Sequence, residues 1–594
     1  MSEFRFSPRP NRADEIGWME WGADAFARAN AEDRPILLSI SAVWCHWCHV
    51  MDETTYSDPS VIEAINRRFV PVRVDNDKRP DINARYNMGG WPTTAFLTPD
   101  GRTLTGATYL PPAQMHRALD EIARFYDERK NEIAELPATS RSHDALHESA
   151  AAGNLSDAPI VRLLENLESN YDEEFGGFGD EPKFPQPEVL EFLLSEWRLS
   201  GNQRYYEMVA QTMRGMSRGG MYDHVEGGFF RYSTTRDWSV PHFEKMAEDH
   251  AGLLRVLATL SIFAPTDDVH ATLVSATNYI RSVLLDPQTG FFGGSQDADE
   301  AYFALPLEER RRLIAPFVDR TSYTNWTCAL AGAFFRVARA LDDDALLAQA
   351  VTTLDNVAER LVDADGLLYH VLVPGGEPQV RGLLTDHVAY LRALLDAHEV
   401  SGEERFLDRA RVLAQTTIEA FEAPDGGFYD RLAGSESFGN LAYPDRPIVE
   451  NGLLADALLR LDALTAESAH RDRVKQTLAI YAGMAANAGS FAATFARALR
   501  RYLSPEVVVR IVGNAKETDE FREVAQRLPS PFASVRTLTA KAASRLGMPP
   551  HPAAYVCVGT VCGAPAMQAS ELRAAYERTS VSQYQQPQSP TTIE

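Results

Sequence analysis

The chain has 594 residues, 45% of them hydrophobic and 24% charged, an ordinary composition for globular protein at a length that exceeds one hydrophobic core. With 58 Lys and Arg against 83 Asp and Glu, the formal net charge of -25 disfavours nucleic acids and anionic membranes as partners. Five cysteines, an amino terminus without an export signal and no apolar run long enough to span a bilayer predict a multidomain cytoplasmic protein.

The first predicted elements form a strand–helix–strand unit with two cysteines at its first junction. Residues 35–41 are a short apolar run that predicts a buried strand. Apolar residues at helical spacing follow over 61–69, and 69–74 predicts the next strand. Cys45 and Cys48 stand between the first strand and the helix, a position typical of a thioredoxin-like redox site.

The spacing of the two cysteines suits disulfide exchange. Two intervening residues in the first helical turn bring the sulfurs of Cys45 and Cys48 within disulfide reach. Unpaired amides at the helix N-terminus favour a thiolate on Cys45, and a positive charge on His46 lowers the pKa of the Cys45 thiol further. Cys45 is therefore predicted as the attacking thiolate and Cys48 as the thiol that resolves the mixed disulfide.

Three alternatives compete with the redox interpretation. Residues 45–49 also fit C-x-x-C-H, the attachment pattern of c-type haem, but such proteins mature in an exported compartment. Zinc bound by Cys45, Cys48 and a histidine lacks a second ligand cluster nearby. The third alternative is a pair of reduced structural cysteines. The strand–helix–strand frame favours the redox site over all three.

A proline and a hairpin follow at the positions that this frame requires. Pro92 directly precedes a predicted strand over 93–97. Asp100 and Gly101 then supply the pair that hairpin turns favour. Residues 111–132 close the unit as an amphipathic helix.

These motifs resemble a known family, the thioredoxin-domain proteins that include the spermatogenesis-associated thioredoxin-like proteins. The residues that carry the likeness are Cys45-His46-Trp47-Cys48-His49-Val50-Met51, Gly90-Trp91-Pro92, Phe96-Leu97-Thr98-Pro99-Asp100-Gly101 and Thr108-Tyr109-Leu110-Pro111. The resemblance implies a thioredoxin-like module joined to a six-hairpin helical toroid, with Pro92 in the cis form, facing the cysteines and shaping the substrate groove. One departure concerns Ser39, since ordinary thioredoxins bury a proton-transferring Asp six residues before the first cysteine.

The rest of the chain is dominated by long amphipathic helices separated by turns of similar sequence. The turns are Glu174-Phe175-Gly176-Gly177-Phe178, Glu226-Gly227-Gly228-Phe229-Phe230, Thr289-Gly290-Phe291-Phe292-Gly293-Gly294, Asp365-Gly366-Leu367-Leu368-Tyr369 and Asp425-Gly426-Gly427-Phe428-Tyr429. Their spacing of roughly 50 to 75 residues accommodates two helices at each step, which predicts an α/α toroid with the glycine turns on one rim. The alternative is that these turns are merely helix C-caps.

Polar residues concentrate beside these turns, where a toroid has its mouth. The candidate cavity residues are Asp223, His224, Arg231, Tyr232, His242, Glu244, Lys245, Asp249, Gln296, Asp297, Asp299, Asp386, His387, Glu450 and Asn451. Carboxylates and histidines that converge on a cavity suit proton transfer on sugars, and aromatic rings suit sugar faces. Alternatively, these residues tie the rim loops together by buried hydrogen bonds and ion pairs.

The resemblance extends over this region as well. Residues 178–185, 241–246 and 296–299 resemble the toroid motifs of the same family, and the ring resembles the glucosamine and cellobiose 2-epimerases, which use histidines in the cavity. That second likeness concerns the fold and carries no activity over to this chain.

The last part of the chain predicts a small α/β unit. Strands are predicted over 506–513 and 553–558, with helices over 517–528 and 570–578. Cys557 and Cys562 resemble the carboxyl-terminal cysteine pair of the same family. One hypothesis is that this pair exchanges with Cys45 and Cys48, and the alternative is two unconnected thiols.

These elements predict a multidomain fold. The predicted division is an α/β thioredoxin-like domain at 1–135, a linker at 136–158, an all-α (α/α)6 toroid at 159–500, a small α/β subdomain at 501–580 and a disordered tail at 581–594. No cofactor and no metal site are predicted. The expected partner is an unidentified protein thiol or disulfide, or a small carbohydrate.

Two functions from different classes remain open. In the first, the protein is a thiol–disulfide oxidoreductase whose toroid recognises the substrate or partner, with Cys45, Cys48, His46 and Pro92 as its site. In the second, the toroid is carbohydrate-active or sugar-binding, with His224, His242, Glu244 and Asp297 as acid–base candidates and a regulatory or structural thioredoxin-like domain. A non-catalytic scaffold is disfavoured because both cysteines are present together with His46 and Pro92.

Overall fold

The computed structural model describes residues 4–135 and 155–584, apart from the single residues 436, 486, 515 and 560. The predicted linker lies outside the described residues up to 154, and the predicted tail lies outside them from 585 onwards. Among the described residues, no helix is long and apolar enough to cross a bilayer.

The amino-terminal domain is built on one sheet. Over residues 4–135 the structure shows four strands in the order β2-β1-β3-β4, with β1 parallel to β2 and antiparallel to β3, and β3 antiparallel to β4. The strands are β1 (Ile36–Ser41), β2 (Val70–Asp75), β3 (Thr93–Leu97) and β4 (Thr103–Ala107), and the helices are α1 (Ala23–Glu32), α2 (His46–Glu53), α3 (Pro59–Arg68), α4 (Pro80–Tyr86) and α5 (Pro112–Glu135).

Burial explains why β1 is an unbroken apolar run. All six of its residues are buried, since the helices cover both faces of the sheet. The start of α3 is equally clear in the sequence, because Pro59 fits the first helical position and the Asp58 side chain accepts hydrogen bonds from the N–H groups of Ser60 and Val61. The strand–helix–strand frame predicted for the cysteines is therefore present.

Within residues 155–503 the described chain forms twelve long helices in two concentric rings. The inner helices are α7 (Pro187–Ser200), α9 (Ala247–Phe263), α13 (Thr324–Leu341), α15 (Leu384–Ser401), α17 (Ile448–Thr465) and α19 (Ala493–Leu503). The outer helices are α6 (Ala158–Ser169), α8 (Gln203–Arg218), α10 (Asp267–Tyr279), α14 (Asp344–Arg360), α16 (Glu404–Phe421) and α18 (Arg471–Ala482). Each inner helix packs against the next, and α19 packs against α7, so the inner ring is closed.

The glycine–aromatic turns connect each of the first five outer helices to its inner partner. Gly177 and Gly228 have φ of 83° and 85°, which favours glycine, and a Cβ on either would lie within 2.7 Å of Trp238 or Tyr279. All five turns lie on the rim where the inner helices begin. Short helices α11 (Glu300–Phe303) and α12 (Leu307–Arg310) lie on this side, with strands β5 (Tyr232–Ser233), β6 (Pro241–His242), β7 (Lys245–Met246), β8 (Ser295–Gln296), β9 (Val318–Asp319), β10 (Ser322–Tyr323), β11 (Tyr369–Leu372) and β12 (Gln379–Arg381).

The carboxyl-terminal subdomain repeats the strand arrangement of the amino-terminal domain. Its sheet has the order β14-β13-β15-β16, again with one parallel and two antiparallel pairings. The elements are β13 (Val507–Val512), α20 (Asp519–Gln526), β14 (Ser534–Leu538), α21 (Ala540–Arg545), β15 (Ala553–Val558), β16 (Val561–Cys562) and α22 (Leu572–Tyr584). Its β14 packs on α15 and α17. The predicted fold class is confirmed, and the likeness between the two sheets is a finding that the sequence did not predict.

Candidate functional site

The redox pair lies where the sequence places it, at the start of α2. Cys45 caps the helix, and its Sγ accepts a hydrogen bond from the N–H of Cys48 at 3.1 Å. The two cysteines are joined in a disulfide, and the Trp91–Pro92 peptide bond is cis. Cys45 is 4% exposed and Cys48 2% exposed. A helix N-terminus that donates to a sulfur is the arrangement that stabilises a thiolate after reduction.

The residues between and after the cysteines differ in their exposure. His46 and Trp47 are exposed, whereas His49 is half-buried, and burial lowers the pKa of its imidazole. The His46 ring lies at the surface beside the Trp47 ring, with the two centroids 5.9 Å apart. The effect of His46 on the pKa of the Cys45 thiol stays a prediction.

Buried carboxyl groups lie near the pair, although Ser39 replaces the usual one. Asp77, which is 3% exposed, accepts a hydrogen bond from Trp44 Nε1 at 2.7 Å. Trp44 is the residue directly before Cys45 in the chain. Burial and the neighbouring Asp75 raise the pKa of Asp77 well above its usual range, and burial raises that of Asp75 to about 6. The sequence did not predict Asp75 or Asp77 as site residues, because they lie at the end of β2 and just after it, far from the cysteines in the chain.

The mouth of the toroid covers the redox pair. Arg231, which follows the second glycine turn, places its guanidinium 4.1 Å from the ring centroid of Trp44. The ring of His242 lies 6.5 Å from that of His46, and its Nδ1 is 2.7 Å from a carboxylate oxygen of Glu244. Tyr232 stacks on His242 at 4.8 Å. Two predicted toroid residues, Arg231 and His242, therefore meet the residues beside the redox pair, and Tyr232 and Glu244 contact His242. The sequence did not predict this contact between domains.

A second contact between the domains passes through a buried histidine. His370 Nε2 is 2.8 Å from the main-chain oxygen of Asp77, and its Nδ1 is 2.9 Å from Asp386. Burial alone would lower the pKa of His370, but the charge and hydrogen bond of Asp386 outweigh burial and raise it. A protonated His370 donates to both partners, so the imidazolium joins the amino-terminal domain to the ring.

This contact predicts a pH-dependent stability. Because the folded-state pKa of His370 is raised, its stabilising contribution is complete below the unfolded value of about 6.5 and is lost as pH rises through the folded value. We expect His370→Gln to lower the urea midpoint of unfolding at about pH 5.5 and to have a smaller effect at about pH 8.5. The exposed His224→Gln serves as the control. A deficit that grows with pH would contradict this role of His370.

Several predicted cavity residues instead hold the rim loops together. Lys245 donates to Asp223 at 2.8 Å and to the carbonyl of Gly227 at 2.7 Å, and Arg310 donates to Asp223 at 2.7 Å. Burial lowers the pKa of Lys245 to about 8. The preceding turn has the same arrangement, in which Lys183 donates to Asp172 and to the carbonyl of Gly176. This repetition favours an architectural role for Asp223 and Lys245.

A second repeat involves the fourth residue of three inner helices. His250, His387 and Asn451 each accept a hydrogen bond from a main-chain N–H of the preceding turn, at 2.8, 3.2 and 2.7 Å. His387 and Asn451 are fully buried in these contacts. Their position in the repeat favours rim architecture over chemistry.

Three of the remaining predicted residues follow the third glycine turn, and His224 precedes the second. Gln296 accepts a hydrogen bond from the Tyr279 hydroxyl at 3.1 Å, and Asp299 caps α11 by accepting from Tyr302 N–H. His224 is exposed and lies 3.1 Å from the carbonyl of Gly219. Asp297 is 8% exposed, and burial raises its pKa to about 7. The charges of Glu244 and Asp299 raise the pKa of Asp297 further, which relates this carboxyl group to the His242–Glu244 pair.

The lumen of the ring contains a cavity of ≈ 150 Å³ near the inner-helix N-termini. Glu188, Glu248 and Glu450 line it, and Arg255, Arg392 and Arg497 lie deeper, in the middle of the inner helices. Burial within the ring raises the pKa of Glu248 to about 8 and that of Glu450 to about 7. Burial also raises the pKa of the adjacent Asp249 to about 7. Of these residues only Asp249 and Glu450 were predicted, and the repeat position of Glu188 and Glu248, second in α7 and α9, is the signal that was missed.

The second cysteine pair lies at the other end of the molecule. Cys557 and Cys562 are joined in a disulfide between neighbouring strands β15 and β16. Their subdomain packs on the end of the ring where the inner helices finish. The thioredoxin-like domain covers the opposite rim, where the inner helices begin. An 18-residue inner helix is about 27 Å long. This separation disfavours exchange between the two pairs within one molecule, and the disulfide shows that Cys557 and Cys562 are not two unconnected thiols.

Comparisons with known proteins agree with this organisation. Residues 9–143 match the family model Thioredox_DsbH, described as a protein of unknown function, DUF255. Spermatogenesis-associated protein 20 of Homo sapiens is 32% identical over 333 residues, which is 50% of this chain and 42% of that protein, so the chain spans less than half the length of this relative. An uncharacterized protein of Caenorhabditis elegans is 24% identical over 697 residues and 95% of both chains.

A solved structure resembles the ring at the level of the fold. Cellobiose 2-epimerase from Bacillus thermoamylovorans B4167 aligns with a TM-score of 0.45 and 14% identity over 54% of this chain and 85% of that one. The match to spermatogenesis-associated protein 20 and the family model over residues 9–143 confirm the resemblance to the spermatogenesis-associated thioredoxin-like proteins, with a thioredoxin-like sequence at the amino-terminal end of the chain.

Proposed function

We propose that the protein is a thiol–disulfide oxidoreductase of thioredoxin type, and that the toroid recognises its substrate. The observation that carries the proposal is the Cys45–Cys48 disulfide at the N-terminus of α2, beside the cis-peptide Pro92 and against the toroid mouth. The match to the human relative covers 50% of this chain and 42% of that protein, so the substrate must be established by experiment.

In this proposal each cysteine has its own step. In the reduced protein, the Cys45 thiolate attacks a substrate disulfide, forms a mixed disulfide and releases the first substrate thiolate, which takes up a proton. Cys48 then loses its proton and attacks the Cys45 sulfur, which releases the second thiolate and restores the disulfide. Two electrons pass from the cysteines to the substrate, and two external thiols, or one dithiol, return the protein to its reduced form and are themselves oxidised to a disulfide.

The cover formed by the toroid favours small substrates. Trp44 is 3% exposed, with Arg231 over its ring, and Cys45 and Cys48 are almost wholly buried. A folded protein cannot lay a surface against a cysteine that is 4% exposed while the toroid stays in place. A low-molecular-weight disulfide, or an extended chain that enters between the domains, fits this arrangement better.

The lumen favours a second candidate function. Carboxyl groups whose pKa lies near neutrality, as for Glu248 and Glu450, are suited to general acid and base catalysis. Together with the His242–Glu244 pair, they support acid–base chemistry on a small polyhydroxylated compound, with the thioredoxin-like domain as a cover. Activity of this kind would not depend on the thiol of Cys45.

The test of the first function is the redox equilibrium of the pair. A variant with Cys557 and Cys562 replaced by serine is equilibrated in glutathione buffers, and the fraction of disulfide is measured by alkylation and mass spectrometry. We expect a single transition with a potential between about -270 and -200 mV. A pair that stays fully reduced or fully oxidised throughout would contradict the proposal.

A further inference from the structure

A second cavity lies at the opposite end of the lumen, and we name it the arginine chamber. It has a volume of ≈ 100 Å³ and lies between the carboxyl-terminal halves of the inner helices and residues 525–535 of the carboxyl-terminal subdomain. Among the described residues that line it, eight arginines face three carboxylates. The arginines are Arg198, Arg255, Arg336, Arg339, Arg392, Arg460, Arg497 and Arg501, and the carboxylates are Asp396, Glu399 and Asp456.

The carboxylates are fully engaged by some of these arginines. Asp396 accepts hydrogen bonds from Arg255 at 2.8 Å and from Arg460 at 2.7 Å. Asp456 pairs in the same way with Arg497 and Arg501. Glu399 pairs with Arg460, and Arg339 pairs with Asp519 of the carboxyl-terminal subdomain. The chamber therefore keeps an excess of positive charge, in a protein whose net charge is -25.

Two arginines carry that excess. Within the described chain, Arg392 makes no hydrogen bond or ion pair, although it lines both cavities of the lumen. Arg198 donates only to the main-chain oxygens of Leu528 and Ser530. Burial and neighbouring arginines lower the pKa of Arg198 to about 9 and that of Arg392 to about 10, and the charges of Glu191 and Asp396 offset this only in part at Arg392.

Buried donors without acceptors point the same way. The Nε atoms of Arg198, Arg336, Arg339 and Arg497 are buried and have no hydrogen-bond partner among the described residues. Helix carbonyls supply negative potential at this end of the ring, and Arg339 uses one of them. Arg392 is the ninth residue of the 18-residue α15, so it lies too far from the helix end for such a contact.

We propose that the arginine chamber binds a small oxyanion with two or more negative charges, and that Arg392 and Arg198 are its principal ligands. Phosphate and carboxylate groups accept the paired N–H groups of a guanidinium, which matches the unfilled donors. One water molecule needs roughly 10–15 Å³ of comparable cavity volume. The arginine chamber therefore has room for an anion the size of phosphate or a small polycarboxylate. This site is independent of Cys45 and of the redox reaction.

The test uses inorganic pyrophosphate and citrate as probes, in calorimetric titrations of the full-length protein at constant ionic strength. We expect one site per chain. Arg392→Gln should weaken binding by roughly tenfold or more, because it removes charge-assisted hydrogen bonds, and Arg392→Lys should weaken it less. Arg162→Gln, a change on the exposed face of α6, should bind as the wild type does. Pyrophosphate alone would indicate a phosphorylated ligand, and citrate alone a polycarboxylate.

The melting temperature supplies a second measure. Without anions, Arg392→Gln should melt at or above the wild-type temperature, since it removes an unpaired charge, whereas a structural arginine would lower it. Pyrophosphate should raise the wild-type melting temperature more than that of Arg392→Gln, and Arg162→Gln reports the general stabilisation by phosphates. Absence of binding by both probes, or equal binding by Arg392→Gln, overturns the proposal.

Discussion

Cys45→Ser is expected to reduce the disulfide reductase activity of the protein by at least about a thousandfold, because it removes the sulfur that caps α2 and accepts a main-chain N–H. Cys48 lies inside the first turn of α2 and not at its cap, so we expect it not to replace Cys45 as the attacking group. The measurement is the rate at which a small aromatic disulfide is reduced, followed by the absorbance of the released thiol, with dithiothreitol as the final reductant.

Cys48→Ser gives the complementary result. The mixed disulfide between Cys45 and the substrate should accumulate, since the resolving thiol is absent, and mass spectrometry of the intact protein detects the added mass. The matched control replaces Cys557 and Cys562 by serine, which should leave the rate unchanged because that pair lies beyond the far end of the inner helices. Full activity of Cys45→Ser would refute the redox proposal and favour chemistry in the lumen.

The parts of the fold that the sequence predicted are those encoded by local pattern. The cysteine spacing, the buried strand before it and Pro92 all lie between residues 36 and 92, so they predict a thioredoxin-like unit without knowledge of the rest. The toroid follows from a repeat, since five glycine turns of similar sequence lie on one rim. Fold class could therefore be predicted, whereas the helical limits and domain contacts depend on tertiary packing.

The candidate site could be predicted only in part, because its halves come from distant segments. Arg231 and His242 were selected for their neighbouring turn, and nothing in the sequence indicates that they meet Trp44 and His46. His387 was selected as a cavity residue, yet its counterpart His250 makes the same contact to a turn. Comparison of equivalent positions in the inner helices would have revealed that repeat, and it would also have pointed to Arg392.

Asp396→Asn is expected to destabilise the ring by about 3–5 kcal/mol, because it removes the anionic partner of several buried arginines. Asp396 is 2% exposed and lies on α15, and it pairs with Arg255 of α9, Arg336 of α13 and Arg460 of α17. One carboxylate thus joins four of the inner helices. Burial opposes its ionisation, but the three guanidinium groups outweigh burial and hold the pKa of Asp396 well below its usual range.

The sign of the pH dependence follows from that lowered pKa. The contribution of Asp396 is complete above the unfolded-state value of about 3.9 and is lost only as pH falls through the folded value, so at neutral pH the variant shows the whole deficit. Urea unfolding followed by far-ultraviolet circular dichroism reports the helical ring. The control is Asp355→Asn, which breaks partly exposed pairs with Arg405 and Arg409 and should cost about 1 kcal/mol or less. If the two variants lost the same free energy of unfolding, the Asp396 cluster would be contributing no more than a partly exposed ion pair. The proposed role of Asp396 in joining four inner helices would then be wrong.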